Sequence, residues 1–430
     1  MSFLSFAPII LMFVLMLLRV PVGFALIIPT AIYYTFINTT MPIEIVVQSM
    51  MAPTESFPYL AIPFFTCAGV VFNYSGISEK LYGLANLLVG HVRGGLAQIN
   101  IVLSAMMGGL SGSANADAAM DAKTIVPQMI RHGYSKGFAT VVTAASSVIT
   151  PIIPPGIILI LYSLMADVSV ARMFLAGYVP GLLLMAALMI TVSIISRRRG
   201  YGAERTTAAS WSEIGRHCRE SVWALMLPVF LLVGLRYGVF TPTEAGAIAV
   251  LYALLVGIFV YRRLRWEHVR PILVESVEAT ASVMFIVCGA MTFSAYLTWE
   301  GIPSAVTNML VHDIGNPWLM LLVINIFLLV VGFFFEGGAA MVLLAPILVP
   351  AVKAMNIDLV HFGIVMSVNL TIAGFTPPVG TMMFIVLAIT KTRMEEYVRE
   401  CWPFLAALVA VLLLITYVPW LVLIVPRIFM

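Results

Sequence analysis

The sequence predicts an all-α polytopic membrane protein, folded as an inverted repeat with two re-entrant hairpins and about ten full spans of the ~20 residues that a bilayer crossing needs. Three observations predict it. Of the 430 residues, 61% are hydrophobic and only 10% charged, too little charge to cover a soluble protein of this length but well matched to lipid. Long apolar stretches recur from one end of the chain to the other. The proline and glycine landmarks of the first half return in the same order in the second.

Taken in order, stretches 3–19, 22–38 and 58–74 read as the first spans. The run from Phe3 to Leu18 has no basic residue before it and Arg19 after it, which predicts a retained span rather than a cleaved signal. Residues 94–130 are apolar around a glycine-rich centre and read as a hairpin that enters and leaves the membrane on one side. Residues 136–166 are too long for one straight helix and carry prolines at their middle, so they read as a broken span. Spans follow at 173–196, 222–240, 243–262 and 276–298, then a second hairpin at 317–352, a second broken span at 360–390 and a last span at 402–428. Arg19 and Arg236, at span ends, read as snorkelling anchors.

Basic clusters set the sidedness. Arg197, Arg198 and Arg199 open one loop that also holds Arg205, Arg216 and Arg219, and Arg262, Arg263, Arg265 and Arg270 fill another. Two spans separate these loops, so both lie on one face, which the positive-inside rule makes cytoplasmic. Counted outward from there, the first hairpin opens inward, with Arg93, Arg131, His132 and Lys136 on its flanks. The second opens outward, with only His312 and Lys353 as flanking bases, and both termini come out periplasmic.

The repeat is carried by spacing. Pro127 and Pro350 are 223 positions apart (350 − 127), as are Pro154 and Pro377 (377 − 154). The same shift takes Gly109 to Gly332 and Gly23 to Gly246, and a slip of two residues either way takes Cys67 to Cys288 and Gly76-Ile77 to Gly301-Ile302. Because the hairpins open to opposite faces, the copies are inverted. Inverted repeats characterise secondary transporters, which hold substrate and coupling ions near the midplane between broken helices.

The breaks carry the chemistry. The first hairpin tip reads Gly108-Gly109-Leu110-Ser111-Gly112-Ser113-Ala114-Asn115-Ala116-Asp117, small residues that let the backbone bend and polar ones where lipid offers no partner. The facing break holds Ser146-Ser147, Thr150, Pro151, Pro154, Pro155 and Gly156, and its repeat holds Asn369, Thr371, Gly374, Thr376, Pro377, Pro378 and Gly380. The second tip reads Gly332-Phe333-Phe334-Phe335-Glu336-Gly337-Gly338. Proline removes an N–H and frees carbonyls, which suit a hard cation such as Na+, while half-helix N-termini suit a carboxylate. Asp117, Asp121 and Glu336 lie near the tips, where acids are costly and usually functional. Lys123 is placed to partner an acid locally, and Glu244 and Glu300, nearer the outer ends, read as solvated or structural.

Other chemistry has little support. A net charge of +3 argues against nucleic acid, and Cys67, Cys218, Cys288 and Cys401 lack metal or CxxC spacing and read as unpaired thiols. The six histidines are dispersed, and no HExxH, GxSxG or P-loop pattern occurs.

The runs GGLSGSANADAA, ITPIIPPG and NLTIAGFTPPVG resemble the large membrane subunit of tripartite ATP-independent periplasmic (TRAP) transporters, the DctM-like family, over essentially the whole chain. The resemblance implies a fold related to divalent-anion/sodium symporters and Na+-driven uptake of an organic acid of the sialic acid, C4-dicarboxylate or sugar-acid class across a bacterial inner membrane. It implies two partners, a small four-helix membrane subunit and a soluble periplasmic binding protein. Since the chain opens on the first large-subunit span, the small subunit is expected as a separate polypeptide. Carried over by residue, one Na+ site would lie between Ser111, Gly112, Ser113 and the carbonyls around Ser147 and Thr150. The other would lie between Gly332 or Gly337 and the break at Gly374 and Thr376. Substrate would sit between the tips, near Asn115, Asp117, Glu336 and Gly337. Acids beside an anionic substrate leave alternatives open: they hold Na+ or a proton, or they point away.

These readings predict an elevator cycle. Residues 1–92 and 173–298, with a basic loop at 197–221, form the scaffold; 93–172 and 299–398 form two halves of a moving domain; 399–430 is a C-terminal span. The rivals are a stand-alone symporter, a proton-coupled exporter using Asp117 or Asp121, a channel, and a membrane hydrolase with a Ser111–Lys123 dyad. The last two leave the inverted repeat or the missing filter chemistry unexplained.

Overall fold

A computed structural model describes residues 3–18, 20–38, 42–205 and 207–430; Arg19 lies outside the described residues. In a bilayer the backbone has no solvent partner, so apolar runs satisfy their N–H and C=O groups within helices. Among the described residues there are 21 α-helices and no β-strand. The first five are α1 (Ala7–Leu17), α2 (Val22–Ile32), α3 (Glu44–Glu55), α4 (Ala61–Tyr74) and α5 (Ile77–Val89). The first hairpin is α6 (Gly95–Gly108), α7 (Ala114–Thr124) and α8 (Val126–Arg131), and the first broken span is α9 (Lys136–Ser146) and α10 (Ile157–Ala166). Then come α11 (Val170–Arg199), α12 (Trp211–Arg236), α13 (Pro242–Leu255), α14 (Val269–Trp299) and α15 (Ile302–Asn308). The second hairpin is α16 (Pro317–Gly332) and α17 (Gly337–Ala354), the second broken span α18 (Leu359–Phe375) and α19 (Thr381–Thr390), and the chain closes with α20 (Met394–Tyr417) and α21 (Pro419–Phe429).

Among the described residues seven helical stretches are long and apolar enough to cross a membrane, and the protein is a polytopic helical membrane protein. The 14 residues of α6 rise only about 21 Å at ~1.5 Å per residue, short of the ~30 Å hydrocarbon core. Polar caps stop helices where the sequence changes character. Ser210 and Glu213 form a capping box on α12, and Thr241 and Glu244 another on α13, which assigns Glu244 a structural task. Glu300 accepts from Asn38 Nδ2 at 3.0 Å. Arg236 lies 5.3 Å from the ring centroids of Tyr237 and Phe429.

The helices pack in two groups. In one, α4 lies against α13, α14 against α2, α3 and α4, and α12 against α5. In the other, α6 packs on α9, α16 on α18, and α11 on α6, α18, α20 and α21. The repeat reappears in the packing. The second half of each broken span lies on the other copy's hairpin, α10 on α17 and α19 on α7, and likewise α11 meets α18 where α20 meets α9. The groups touch mainly where α17 meets α14 and α15, where α5 meets α6, and to a lesser extent where α10 meets α4. Two of the chain crossings between the groups are laced together. Gly94 and Gly95 donate their N–H groups to Gly202 O at 3.0 and 3.2 Å, and Glu204 and Arg205 donate theirs to Gly90 O at 2.8 and 3.0 Å.

Three details differ from the sequence reading. The stretch 402–428 is two helices, because Pro419 cannot donate an N–H and holds Val418 outside the helical region (φ −123°, ψ 75°). Helix α11, read with the scaffold, packs instead with the hairpins and α20. Lys123 is exposed and pairs with neither Asp117 nor Asp121. Within the hairpin group, Arg199 at the end of α11 holds Glu400 of α20 with both guanidinium arms, at 2.9 and 2.8 Å, and lies 5.7 Å from the Phe138 ring centroid. Arg199→Ala is expected to cost about 1 kcal/mol, since the pair is bidentate but partly exposed. Glu400→Gln should cost a similar amount, and thermal unfolding of the double variant should show no further loss beyond either single change.

Candidate functional site

The site begins with two helix stops. Helix α6 ends at Gly108, and the chain turns through Gly112 at φ +59°. A Cβ on Gly112 would sit 2.5 Å from Pro155 O, so this tip lies directly on the first break. Gly112 O also accepts the Ile157 N–H at 3.4 Å. Ser113 then caps α7, its hydroxyl accepting the Ala116 N–H at 3.4 Å. In the second hairpin α16 ends at Gly332, which packs on Ala373, and Glu336 caps α17 by accepting the Ala339 N–H at 3.2 Å.

The breaks supply free acceptors. Residues 147–156 are not α-helical, and with three prolines lacking N–H groups the carbonyls of Ser147, Val148 and Thr150 accept no hydrogen bond among the described residues. In the second break the Gly374 carbonyl is likewise free, whereas Thr376 O accepts the Gly380 N–H at 3.2 Å and the Thr376 hydroxyl donates to Ile372 O at 2.7 Å. Both Pro154-Pro155 and Pro377-Pro378 are joined by cis peptide bonds. Each break closes in the same way. A Cβ on Gly156 would stand 1.9 Å from Pro151 O, and one on Gly380 2.4 Å from Gly374 O; residues 151 and 374 are repeat equivalents (374 − 151 = 223). A second matched pair lies just before the breaks. Ser146 donates to Asn100 Oδ1 at 3.3 Å, and its equivalent Asn369 (369 − 146 = 223) donates to Asn325 Oδ1 at 2.7 Å.

All four breaks meet at one cavity of about 740 Å³, its open mouth included. The first tip contributes Gly112 through Asn115, the second Glu336 through Ala339. The broken spans add Pro151, Ile157, Thr371, Gly374 and Thr381, and α14 closes one wall with Val283, Ile286 and Val287. No Lys, Arg or His lines it among the described residues. The N-termini of α7, α10, α17 and α19 all open onto it, and such ends carry partial positive charge.

Of the residues singled out in the sequence, Asn115, Glu336, Gly337, Gly112, Ser113, Pro151 and Gly374 line this cavity. Ser111, Ser147, Thr150 and Thr376 are buried behind its wall, as are Pro154 and Pro155; Pro377 is half-buried and Pro378 exposed. Asp117 and Asp121 face away from the cavity and are 1% and 0% exposed. The single Thr150 hydroxyl proton has two acceptors in reach, Asp117 Oδ2 at 2.9 Å and Ser104 O at 3.2 Å. Asp121 Oδ2 accepts from the Ser104 hydroxyl at 3.4 Å, and Oδ1 of each acid has no partner among the described residues. Thr371, named in the second break, also lines the cavity, whereas Thr381 and the α14 wall were not singled out. Thr381 follows the second break directly, a signal within reach, but Val283, Ile286 and Val287 are ordinary apolar span residues.

With this geometry in place, comparison with known proteins decides the family. The model of the DctM component of tripartite ATP-independent periplasmic transporters matches residues 9–421. The chain belongs to this family. It is 37% identical over 95% of its length to a sialic acid TRAP transporter large permease protein of Vibrio cholerae, covering 95% of that protein. It is 37% identical over 85% of its length to a C4-dicarboxylate TRAP transporter large permease protein of Pseudomonas aeruginosa, covering 85% of it. It is 36% identical over 88% of its length to an isethionate TRAP transporter permease protein of Oleidesulfovibrio alaskensis, of which it covers 60%. This is a transport family rather than an enzyme family. A TRAP large permease is a multi-pass inner-membrane protein, and membership implies a small membrane subunit and a periplasmic binding protein as partners.

Thr150→Val in this TRAP permease removes the hydroxyl that reaches Asp117 and leaves a buried carboxylate oxygen without its donor. The expected cost is about 1–3 kcal/mol, read as a lower unfolding temperature in detergent. Thr150→Ser should restore most of it; equal stability of the Val and wild-type proteins would show that the bond contributes nothing.

Proposed function

We propose that this TRAP permease carries out Na+-coupled uptake of an organic acid handed over by the periplasmic binding protein. The supporting observation is that one cavity is lined by both tips and both breaks and by no basic side chain. A carboxylate there would meet backbone N–H groups at helix N-termini, which favour anions, and would draw further favourable charge from bound cations. The named relatives act on C4-dicarboxylates, sialic acid and isethionate, which are all organic anions.

The oxygen set fits Na+. Among the described residues the Ser111 hydroxyl is buried without a partner, next to the tip that touches the first break, and the Ser147 and Thr150 carbonyls are free. Hard cations take such neutral oxygens. A first Na+ would be held by Ser111, Gly112 and Ser113 with those carbonyls, and a second by Gly332 or Gly337 with Gly374 and Thr376; bound Na+ supplies positive charge beside the anion. Asn115, Glu336 and Gly337 would contact substrate, and Asp117 is assigned a role behind the wall, joining α7 to the break through Thr150.

For movement we propose an elevator. The hairpins and broken spans, together with α11 and α20, would slide against α1–α5 and α12–α15. We place α11 with the moving body because of its packing on α6, α18 and α20. The small partner is assigned four helices, as the family resemblance implies, and both termini of this chain are assigned the periplasmic side on the charge distribution of its loops.

Proteoliposomes holding this chain and its small subunit should accumulate organic acid only with an inward Na+ gradient and the cognate binding protein present. Uptake that follows a proton gradient and ignores Na+ would overturn the ion sites, and uptake without binding protein would make the protein a stand-alone symporter. In a cysteine-free background, cross-linking α14 to α17 through Ile286→Cys and Val342→Cys should abolish uptake, with recovery on release; full uptake by a completely cross-linked sample would rule out sliding.

A further inference from the structure

The cavity is electrically lopsided. At its first-hairpin end the leading N–H groups of α7, on Ala114 and Asn115, have no acceptor among the described residues, and the Asn115 side chain stands beside them. This end can only gain by meeting a carboxylate. At the other end the N-terminus of α17 already has one. The Glu336 carboxylate accepts the Ala339 N–H through Oε2 at 3.2 Å, which offsets the positive end of that helix. Its second oxygen has no hydrogen bond among the described residues, and Glu336 is exposed in the cavity. Of the four helix N-termini at the site, this is the one capped by a charge; the caps of α7, α10 and α19 are Ser113, Gly156 and Gly380.

Building on the organic-acid reading above, we propose that Glu336 is a specificity-determining residue that restricts the substrate to hydroxylated monocarboxylates and excludes dicarboxylates. The substrate carboxylate lies at the Ala114–Asn115 end. The far end of the molecule faces Glu336, which accepts hydrogen bonds from hydroxyl groups and repels a second carboxylate. The Thr371 and Thr381 hydroxyls, on the wall between the ends, offer further partners for a polyol chain. With no Lys, Arg or His lining the cavity among the described residues, none of the lining side chains neutralises a second negative charge. Discrimination of this kind works by building repulsion against the wrong ligand.

The test is a thermal-shift titration of the purified membrane complex in Na+ buffer with D-gluconate, N-acetylneuraminate, succinate and L-malate, on wild type and Glu336→Gln. Gln keeps an acceptor for the Ala339 N–H while removing the charge, and an unchanged unfolding temperature without ligand reports a preserved fold. Wild type is expected to respond to a hydroxylated monoacid and not to the dicarboxylates. Glu336→Gln should move the preference toward dicarboxylates by at least about tenfold, because like-charge juxtaposition costs more than the ~1.4 kcal/mol that one decade represents. Equal response of wild type to succinate or malate and to the monoacids would overturn the proposal while leaving the organic-acid site standing. An unchanged preference in Glu336→Gln would overturn it too. No response of either protein to any of the four would instead count against the organic-acid reading on which it rests.

Discussion

A helix that stops at membrane depth leaves amide protons at one end and carbonyl oxygens at the other, and hydrocarbon satisfies neither. This chain stops helices at four such places, and the rest of its architecture depends on bringing those stops together. The first tip lies on the first break, with Gly112 against Pro155. The second hairpin presses Gly332 on Ala373, just ahead of the second break. Part of what packing does not satisfy opens onto one cavity, and the rest, the Ser147 and Thr150 carbonyls among it, is buried behind the wall. In the proposed reading the same unsatisfied groups that would be a liability in lipid would serve as donors for an anion and acceptors for a cation, a few residues apart.

Neither repeat can build this site alone. The second half of each broken span rests on the hairpin of the other copy, so the polar ends are shielded only when both copies are folded. Matched amide and hydroxyl contacts, Asn100 with Ser146 and Asn325 with Asn369, hold the first half of each broken span to the first arm of its own hairpin. Polar pins of this type are specific because a buried amide left without its partner costs more than the bond itself contributes. Contacts between the two helix groups are of another kind. They run where α17 meets α14 and α15 and where α5 meets α6, and wherever such surfaces are apolar they have no directional bond to break when they shift. The laced linkers at Gly90, Gly94 and Gly95 with Gly202, Glu204 and Arg205 tie two of the crossings to one another on one face.

Much of the fold was legible because its causes are local. Proline and glycine mark the breaks, apolar length marks the helices, and charge marks the loops. Where local rules failed, the reason is visible in particular residues. Hydropathy runs smoothly through Pro419, so two helices read as one span. Helices α3, α5 and α15 are too polar or too short to be counted as spans. Asn100 and Asn325 carry no signal, because a lone amide inside an apolar helix has no pattern around it. In the candidate site, Asn115 and Asp117 are two residues apart in one helical turn, yet one lines the cavity and the other is sealed behind it against Thr150.

By itself the sequence determined the solvent, the kind of element, the places where helices stop and the two-fold order of those places, since each follows from composition or from residues close together in the chain. Only the tertiary structure decided which polar groups face one another, that α11 lies with the hairpins, that an apolar stretch of α14 walls the cavity, and that Glu336 faces it while Asp117 does not. Those outcomes depend on helix rotation and on contacts between the two repeats, more than two hundred residues apart in sequence, and the phase of a helix is set by what packs against it.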